Sequence, residues 1–189
     1  MLEWAMAELL HNPKKLAKAR IELQETLDED GQIQESDISK LPYLQAMVKE
    51  TLRLHPPGPL LVPRKAMRDV EICGFKVPKN AQILVNVWAI SRDPNSWSNP
   101  NSFYPERFLE SKIDFKGRDF EFLPFGAGRR ICPGLSLAHR MMHTILATFI
   151  HFDWKLDGGM KPKDMNMNEK NDFIFVKRAE PLWAIPVKA

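Results

Sequence analysis

Eleven of the fifteen prolines fall between Pro42 and Pro133, and no other feature of the sequence restricts the fold so strongly. Proline fixes φ and carries no backbone donor, so it ends helices and is confined to the edges of sheets. The middle of the chain, beyond a helix that Pro42 can open, must therefore be rich in loops. Fifteen prolines in 189 residues is about 8%, against a typical share of about 5%.

Apolar spacing supports this division. Leu2, Met6, Leu9 and Leu10 recur at helical intervals up to His11-Asn12-Pro13, where Asn12 suits an N-cap and Pro13 a first helical residue. A second stripe follows at Leu16, Ala19, Leu23 and Leu27, with Lys14, Lys18, Glu22 and Glu25 outside it and Asp28-Glu29-Asp30-Gly31 as its stop. A third helix is predicted over 42–54 on the stripe Leu41, Leu44, Val48 and Leu52, closed by His55-Pro56-Pro57-Gly58-Pro59. A fourth begins at Leu135 and carries Leu135, Ala138, Met142, Ile145 and Phe149.

Between and after these helices the period becomes alternating. Val70–Ile72 and Phe75–Val77 flank Cys73-Gly74 as a hairpin, and residues 82–88 read as another strand. Two short strands, over 173–176 and 182–187, are predicted to turn at Glu180-Pro181. Residues 91–133 have no sustained period, and so long an aperiodic stretch inside a domain usually serves a function.

Composition excludes several classes. Hydrophobic residues make up 44% and charged residues 27%, as in ordinary globular chains. No apolar run approaches the roughly 20 residues of a membrane helix. The opening residues lack the basic head and apolar stretch of a signal peptide. A net charge of +3 without a Lys/Arg block gives no argument for nucleic acid. Two cysteines, Cys73 and Cys132, exclude a disulfide scaffold and a four-cysteine zinc site.

Two features point to chemistry. Glu50 and Arg53 lie three residues apart on the third helix, which by itself describes a solvated pair. The segment Phe103-Tyr104-Pro105-Glu106-Arg107-Phe108 changes that reading, because an arginine bracketed by aromatics suits an inward position. Two guanidinium forks can share one buried carboxylate, so Glu50, Arg53 and Arg107 could lock the aperiodic region to the helix.

The second feature is Pro124-Phe125-Gly126-Ala127-Gly128-Arg129-Arg130-Ile131-Cys132-Pro133-Gly134, directly before a helix. Its glycines permit a tight, close-approaching backbone. Cys132 precedes a helix N-terminus, a position that favours thiolates, with Arg129 and Arg130 nearby. A lone cysteine is otherwise a small buried hydrophobe, and Cys73 in its alternating strand fits that description. A phosphate cradle would need the lysine and Ser/Thr that are missing here. A nucleophilic cysteine would need a base such as His139 or His143, which nothing in the sequence places beside the sulfur. A thiolate ligand to a metal or cofactor, with an arginine for an anionic group, uses every part of the loop.

At these residues the chain resembles the cytochrome P-450 monooxygenases. The segment 125–134 is similar to the family's haem-binding signature Phe-x-x-Gly-x-Arg-x-Cys-x-Gly. Glu50-Thr51-Leu52-Arg53 is similar to the Glu-x-x-Arg of its K helix, and Pro105-Glu106-Arg107-Phe108 to its Pro-Glu-Arg-Phe motif. Asp37-Ile38-Ser39-Lys40-Leu41-Pro42-Tyr43-Leu44 and Asp114-Phe115-Lys116-Gly117 resemble the plant geraniol-hydroxylase and ferruginol-synthase branch.

The resemblance implies a mainly α fold with small β-sheets, made of helices like the family's J, K and L and short hairpins. Residues 1–189 would form the C-terminal haem-binding part of a single domain. The cofactor would be haem b (iron protoporphyrin IX), with Cys132 as the proximal iron ligand, Phe125 shielding its sulfur, and Gly126, Gly128 and Gly134 shaping the approach. Arg130 and Arg64 would pair with propionates, and Glu50, Arg53 and Arg107 would form a structural triad. The turn Pro57–Val62, through Gly58, Leu60, Leu61 and Val62, would border a small apolar substrate, as would the last hairpin near Phe173. There Asn171-Asp172 departs from the branch, which more often has Phe-Gly.

The implied reaction inserts one oxygen atom of O2 into a C–H bond of a terpenoid-like substrate. Electrons would come from NADPH through a cytochrome reductase docking near Arg129, Arg140 and Lys116. The family's distal acid and threonine, and the anchor that holds full-length members in the endoplasmic reticulum membrane, are expected to precede Met1, leaving no catalytic residue in this chain. The alternative reading is a truncated, non-catalytic haem-binding fragment.

Overall fold

The computed structural model describes residues 1–26, 33–172 and 174–187. Helices α1 (Leu2–His11) and α2 (Pro13–Thr26) meet at Asn12. Asn12 serves both helices: its side chain donates to Glu8 O at 2.8 Å and closes the first, while its carbonyl accepts from Leu16 N at 3.2 Å and opens the second. Leu16, Ala19 and Leu23 of α2 are buried as its stripe predicts. Leu27, the acidic stop after it and Phe173 lie outside the described residues.

Helix α3 (Pro42–Leu54) buries its whole predicted stripe. Its N-cap residue, Leu41, has no side-chain acceptor. Glu22 of α2 supplies one instead, taking the amides of Tyr43 and Leu44 at 2.6 and 2.9 Å. Glu22 is therefore half-buried between two helices and not on a solvated face.

Beyond the prolines come β1 (Arg64–Lys65), β2 (Val70–Ile72), β3 (Phe75–Val77) and β4 (Gln82–Ile83). The predicted hairpin forms between β2 and β3, and β1 pairs antiparallel with β4, Arg64 opposite Ile83. The strand expected over 82–88 is cut short. Val87–Ile90 form a single helical turn, α4, whose start is capped by Asn86 Oδ1 accepting from Ala89 N at 3.0 Å. The amides of Val85 and Trp88 turn instead to Leu60 O and Pro59 O, at 3.3 and 3.1 Å.

The aperiodic stretch holds short 3-10 turns at Pro105–Phe108 and Gly128–Arg130. Its order comes from buried aromatics. Phe122 stands 5.3 Å from Phe108, 6.2 Å from Trp97 and 6.4 Å from Phe115, ring centre to ring centre. Helix α5 (Leu135–Ile150) buries Met142, His143, Leu146, Ala147 and Ile150. Of the predicted stripe only Met142 is fully buried, because the face in contact with α1 and α3 lies about one position further round.

The tail forms β5 (Asp153–Leu156), β6 (Glu169–Asp172), β7 (Phe175–Arg178) and β8 (Ala184–Val187). The last two strands do not pair with each other as expected. β7 pairs with β6 and β8 with β5, all antiparallel, while Leu182 N is drawn to Glu3 Oε1 at 2.8 Å. The architecture is a helical core, with α1, α3 and α5 in mutual contact, fringed by two-stranded sheets. Among the described residues no helix is long and apolar enough to cross a membrane.

Candidate functional site

The structure brings Glu50, Arg53 and Arg107 together. Glu50 and Arg53 are wholly buried, and Arg53 grips the carboxylate with two prongs, Nε to Oε2 at 2.8 Å and Nη2 to Oε1 at 2.9 Å. Arg107 Nε reaches both Glu50 oxygens at 3.2 and 3.1 Å, and Tyr104 N donates to Oε1 at 2.8 Å. The remaining donors of Arg53 go to the carbonyls of Ser91, Pro100 and Ser102, at 2.6, 2.8 and 3.3 Å. Arg107 Nη1 donates to Ser98 O at 2.8 Å. A buried charge cluster is tolerable only with its hydrogen bonds filled, and these carbonyls fill them. One helix thereby fixes the course of residues 91–107, and the solvated-pair reading of Glu50 and Arg53 fails.

That framework leads to the loop 125–134. Gly126 and Gly128 take positive φ, +72° and +64°, values that glycine adopts without strain. Cys132 N donates to Phe125 O at 2.9 Å, closing the loop so that the thiol is exposed just ahead of α5. The first turn of α5 has no side-chain cap, since its N-cap residue is Gly134. A methyl on Gly134 would meet the Cys132 sulfur at 3.7 Å, an ordinary contact, so the steric demand there is mild.

Gly117 is a residue that sequence reasoning named without giving it a role. Its φ is +76°, and a Cβ on it would lie 3.0 Å from both Ala127 Cα and Gly126 O. The loop therefore rests directly on its backbone. Phe115, two residues earlier, meets Phe125 edge to face at 5.7 Å and His139 at 5.5 Å.

Leu61 links the loop to the turn Pro57–Val62. A Cβ at Gly126 would stand 3.5 Å from Leu61 Cδ1, so the two segments touch. Leu61 N donates to Gly58 O at 3.0 Å, and Leu61 itself has φ +52°, a strained value for a bulky residue. Leu60 and Val62 are 42% and 71% exposed, so neither is a core residue.

Arg64, Ala127, Gly128, Arg129 and Arg130 line one cavity of about 480 Å³. None of its three guanidiniums has a carboxylate partner among the described residues. Such a set, beside an exposed thiol and a glycine-lined approach, suits a flat cofactor that offers carboxylates and takes a sulfur ligand.

The nucleophile reading finds no support in the geometry. His143 Nδ1 donates to His139 O at 2.6 Å, and the two imidazoles lie 4.2 Å apart. Neither is hydrogen-bonded to Cys132 among the described residues. Burial pushes His143 down to about 4, and His139 is also lowered, mainly by burial. Of the surface charges near the loop, Lys116 pairs with Asp114 at 3.0 Å and Arg140 with Glu35 at 2.9 Å.

Comparison with known proteins gives the family. The family model described as cytochrome P450 matches residues 1–182. Cytochrome P450 76T24 of Catharanthus roseus is 63% identical over 99% of this chain and 38% of its own length. A geraniol 8-hydroxylase of Swertia mussotii is 55% identical over 97% of this chain and 37% of its own length. A solved zebrafish cytochrome P450, with abiraterone, superposes with a TM-score of 0.83 at 34% identity, covering 98% of this chain and 44% of that one. The chain thus spans somewhat more than a third of the curated relatives it matches. It belongs to the cytochrome P450 family, whose fold and family membership imply a haem cofactor.

Proposed function

We propose that this chain is the haem-thiolate portion of a plant-type monooxygenase that hydroxylates a small apolar, terpenoid-like substrate. The observation that carries the reading is the exposed Cys132, two residues along the chain from Arg130 in the cavity that Arg64, Arg129 and Arg130 line. Cys132 would ligate the iron of haem b, and Arg64 and Arg130 would hold its propionates by planar, bidentate forks. Phe125, Gly126, Gly128 and Gly134 would form the wall behind the sulfur. When bound, the haem supplies the redox and oxygen chemistry by which one atom of O2 enters a C–H bond.

The chain's own residues contribute position and exclusion. The Glu50–Arg53–Arg107 cluster would keep the loop's supporting framework rigid, and a supporting shell that is rigid holds a reactive site to productive geometry. Leu60, Leu61 and Val62, with Gly58 at the turn, would border the substrate and keep water from it. The names of the geraniol 8-hydroxylases among the relatives support an isoprenoid of modest size. NADPH would act indirectly, through a reductase. Because Lys116 and Arg140 are engaged with carboxylates, the charge offered to that partner would come chiefly from Arg129.

The chain is purified, loaded with haemin, reduced and exposed to CO. A red-shifted Soret band that disappears in Cys132→Ala is expected. An unchanged spectrum in that variant overturns the thiolate reading. Weaker haem retention in Arg64→Ala and Arg130→Ala is expected as well, and undiminished retention in both removes the propionate role.

A further inference from the structure

His55, at the C-terminus of α3, stands at the centre of a second buried charge cluster that plays no part in the cofactor site. Its ring lies flat on Trp4, 3.8 Å between centroids and 7° between planes. Its two nitrogens face two carboxylates, Nε2 to Glu8 Oε1 at 2.8 Å and Nδ1 to Glu169 Oε1 at 3.3 Å. Glu169 also receives Trp88 Nε1 at 3.0 Å and Arg92 Nη2 at 3.3 Å. Arg92 in turn lies over Trp88 and donates to Leu54 O. On the far side, Arg178 sits 5.4 Å from the Trp4 ring and 3.9 Å from Glu3. Burial alone would push the Glu169 carboxyl up, but hydrogen bonds from His55 and Trp88 and the Arg92 charge outweigh it, holding it below the usual carboxylate range.

A carboxylate only accepts hydrogen bonds, so a neutral imidazole can satisfy one of these two contacts and must turn a lone pair toward the other. The imidazolium satisfies both, and stacking on an indole face also favours the cation. With His55 charged, the inner cluster holds two cations, His55 and Arg92, against two anions, Glu8 and Glu169. The elements so joined are α1, the end of α3, α4 and the hairpin β6–β7. Among the described residues the hairpin also meets the turn after α3 through Val176 N, which donates to Pro57 O over a long 3.4 Å.

We propose that His55 is a positioning residue whose imidazolium clamps the β6–β7 hairpin to the turn Pro57–Val62 and releases it on deprotonation. The consequence for substrate rests on the reading of that turn as a substrate border. The clamp itself does not, and it needs no haem.

The test is hydrogen exchange on the whole chain, expressed as protection relative to unstructured peptide at each pH, from about pH 5 to 8. Protection of the Val176 amide and its hairpin neighbours should fall about tenfold across that range, the scale of one charge-assisted hydrogen bond. Protection in α3 and α5 should stay constant. His55→Phe keeps the stack on Trp4 but removes both donors, and Glu169→Gln removes one anion at a partly exposed position. In both variants hairpin protection should be low at every pH and the pH dependence gone. Hairpin protection in the unmodified chain that does not change with pH overturns the proposal. So does loss in His55→Phe spread equally over α3 and α5, or a persistent pH dependence in either variant.

Discussion

The Glu22 carboxylate spans the first turn of α3, with Oε1 accepting from Tyr43 N at 2.6 Å and Oε2 from Leu44 N at 2.9 Å. A helix that opens on Leu41-Pro42 has no cap of its own, so a side chain from α2 closes it and neutralises part of its dipole. Glu22→Ala should cost about 1–2 kcal/mol, the scale of a lost N-cap, read as a lower urea midpoint. Glu22→Gln retains one acceptor and should cost less than half as much. Equal losses would mean that the contact works by packing rather than by capping.

Glu50 holds two arginines, so its removal differs from theirs. Glu50→Ala leaves Arg53 buried without a counter-charge, and breaking a buried pair in that way costs about 3–5 kcal/mol. Arg107→Met should cost less, because the outer end of Arg107 lies among exposed carbonyls. Denaturant titration of both variants checks the order, and a larger loss in Arg107→Met would place the centre of the cluster elsewhere.

The parts of this structure that can be read from sequence are those with a period or a local spacing. Leu41, Leu44, Val48 and Leu52 recur at helical intervals and are all buried. The prolines mark where helix must stop. The loop around Cys132 declares its glycines and charges in a few consecutive residues. What was missed acts across long sequence distance. Glu22 caps a helix 21 residues further on, Glu169 reaches His55 from the far end of the chain, and β5 waits for β8 across four short elements, two 3-10 turns and the strands β6 and β7. None of these contacts leaves a repeating pattern, because a side chain that bonds a distant backbone needs no neighbours of its own kind. Glu180-Pro181 looks like a hairpin turn, yet its flanking strands pair elsewhere. α4 replaced the end of a strand because one asparagine, Asn86, caps it.

His143 is buried on α5 and stays neutral in the folded chain down to about 4, from an ordinary 6.5, because burial disfavours its charged form. The unfolded chain takes up a proton below about 6.5, and the folded one does not until about 4. The stability tied to this group is thus complete above about 6.5 and is lost as pH falls toward 4, on the order of 3 kcal/mol in all. The urea midpoint of the unmodified chain should drop over that interval, and His143→Leu should flatten the drop. An equally steep decline in the variant would assign the acid lability to other groups.

Gly117 and Gly128 both have positive φ, +76° and +64°, yet substitution at the two should have different consequences. A Cβ on Gly128 would meet nothing within 4 Å, so Gly128→Ala carries only the conformational cost of a left-handed alanine, about 1 kcal/mol. A Cβ on Gly117 would press at 3.0 Å on the backbone of Gly126 and Ala127 and at 3.1 Å on Ile131 Cδ1. Backbone cannot swing aside as a side chain does, so Gly117→Ala must displace the loop that carries Cys132 as well as strain its own residue. Gly117→Ala should therefore lose a further 1–2 kcal/mol, roughly, in urea unfolding. It should also hold haemin about tenfold more weakly than the unmodified chain, with a smaller red-shifted Soret band after reduction and CO, since about 1.4 kcal/mol is a tenfold change in affinity. Haemin titration of Gly117→Ala beside the unmodified chain decides the matter. If both bind alike, the loop is not seated on Gly117 in the way its contacts describe.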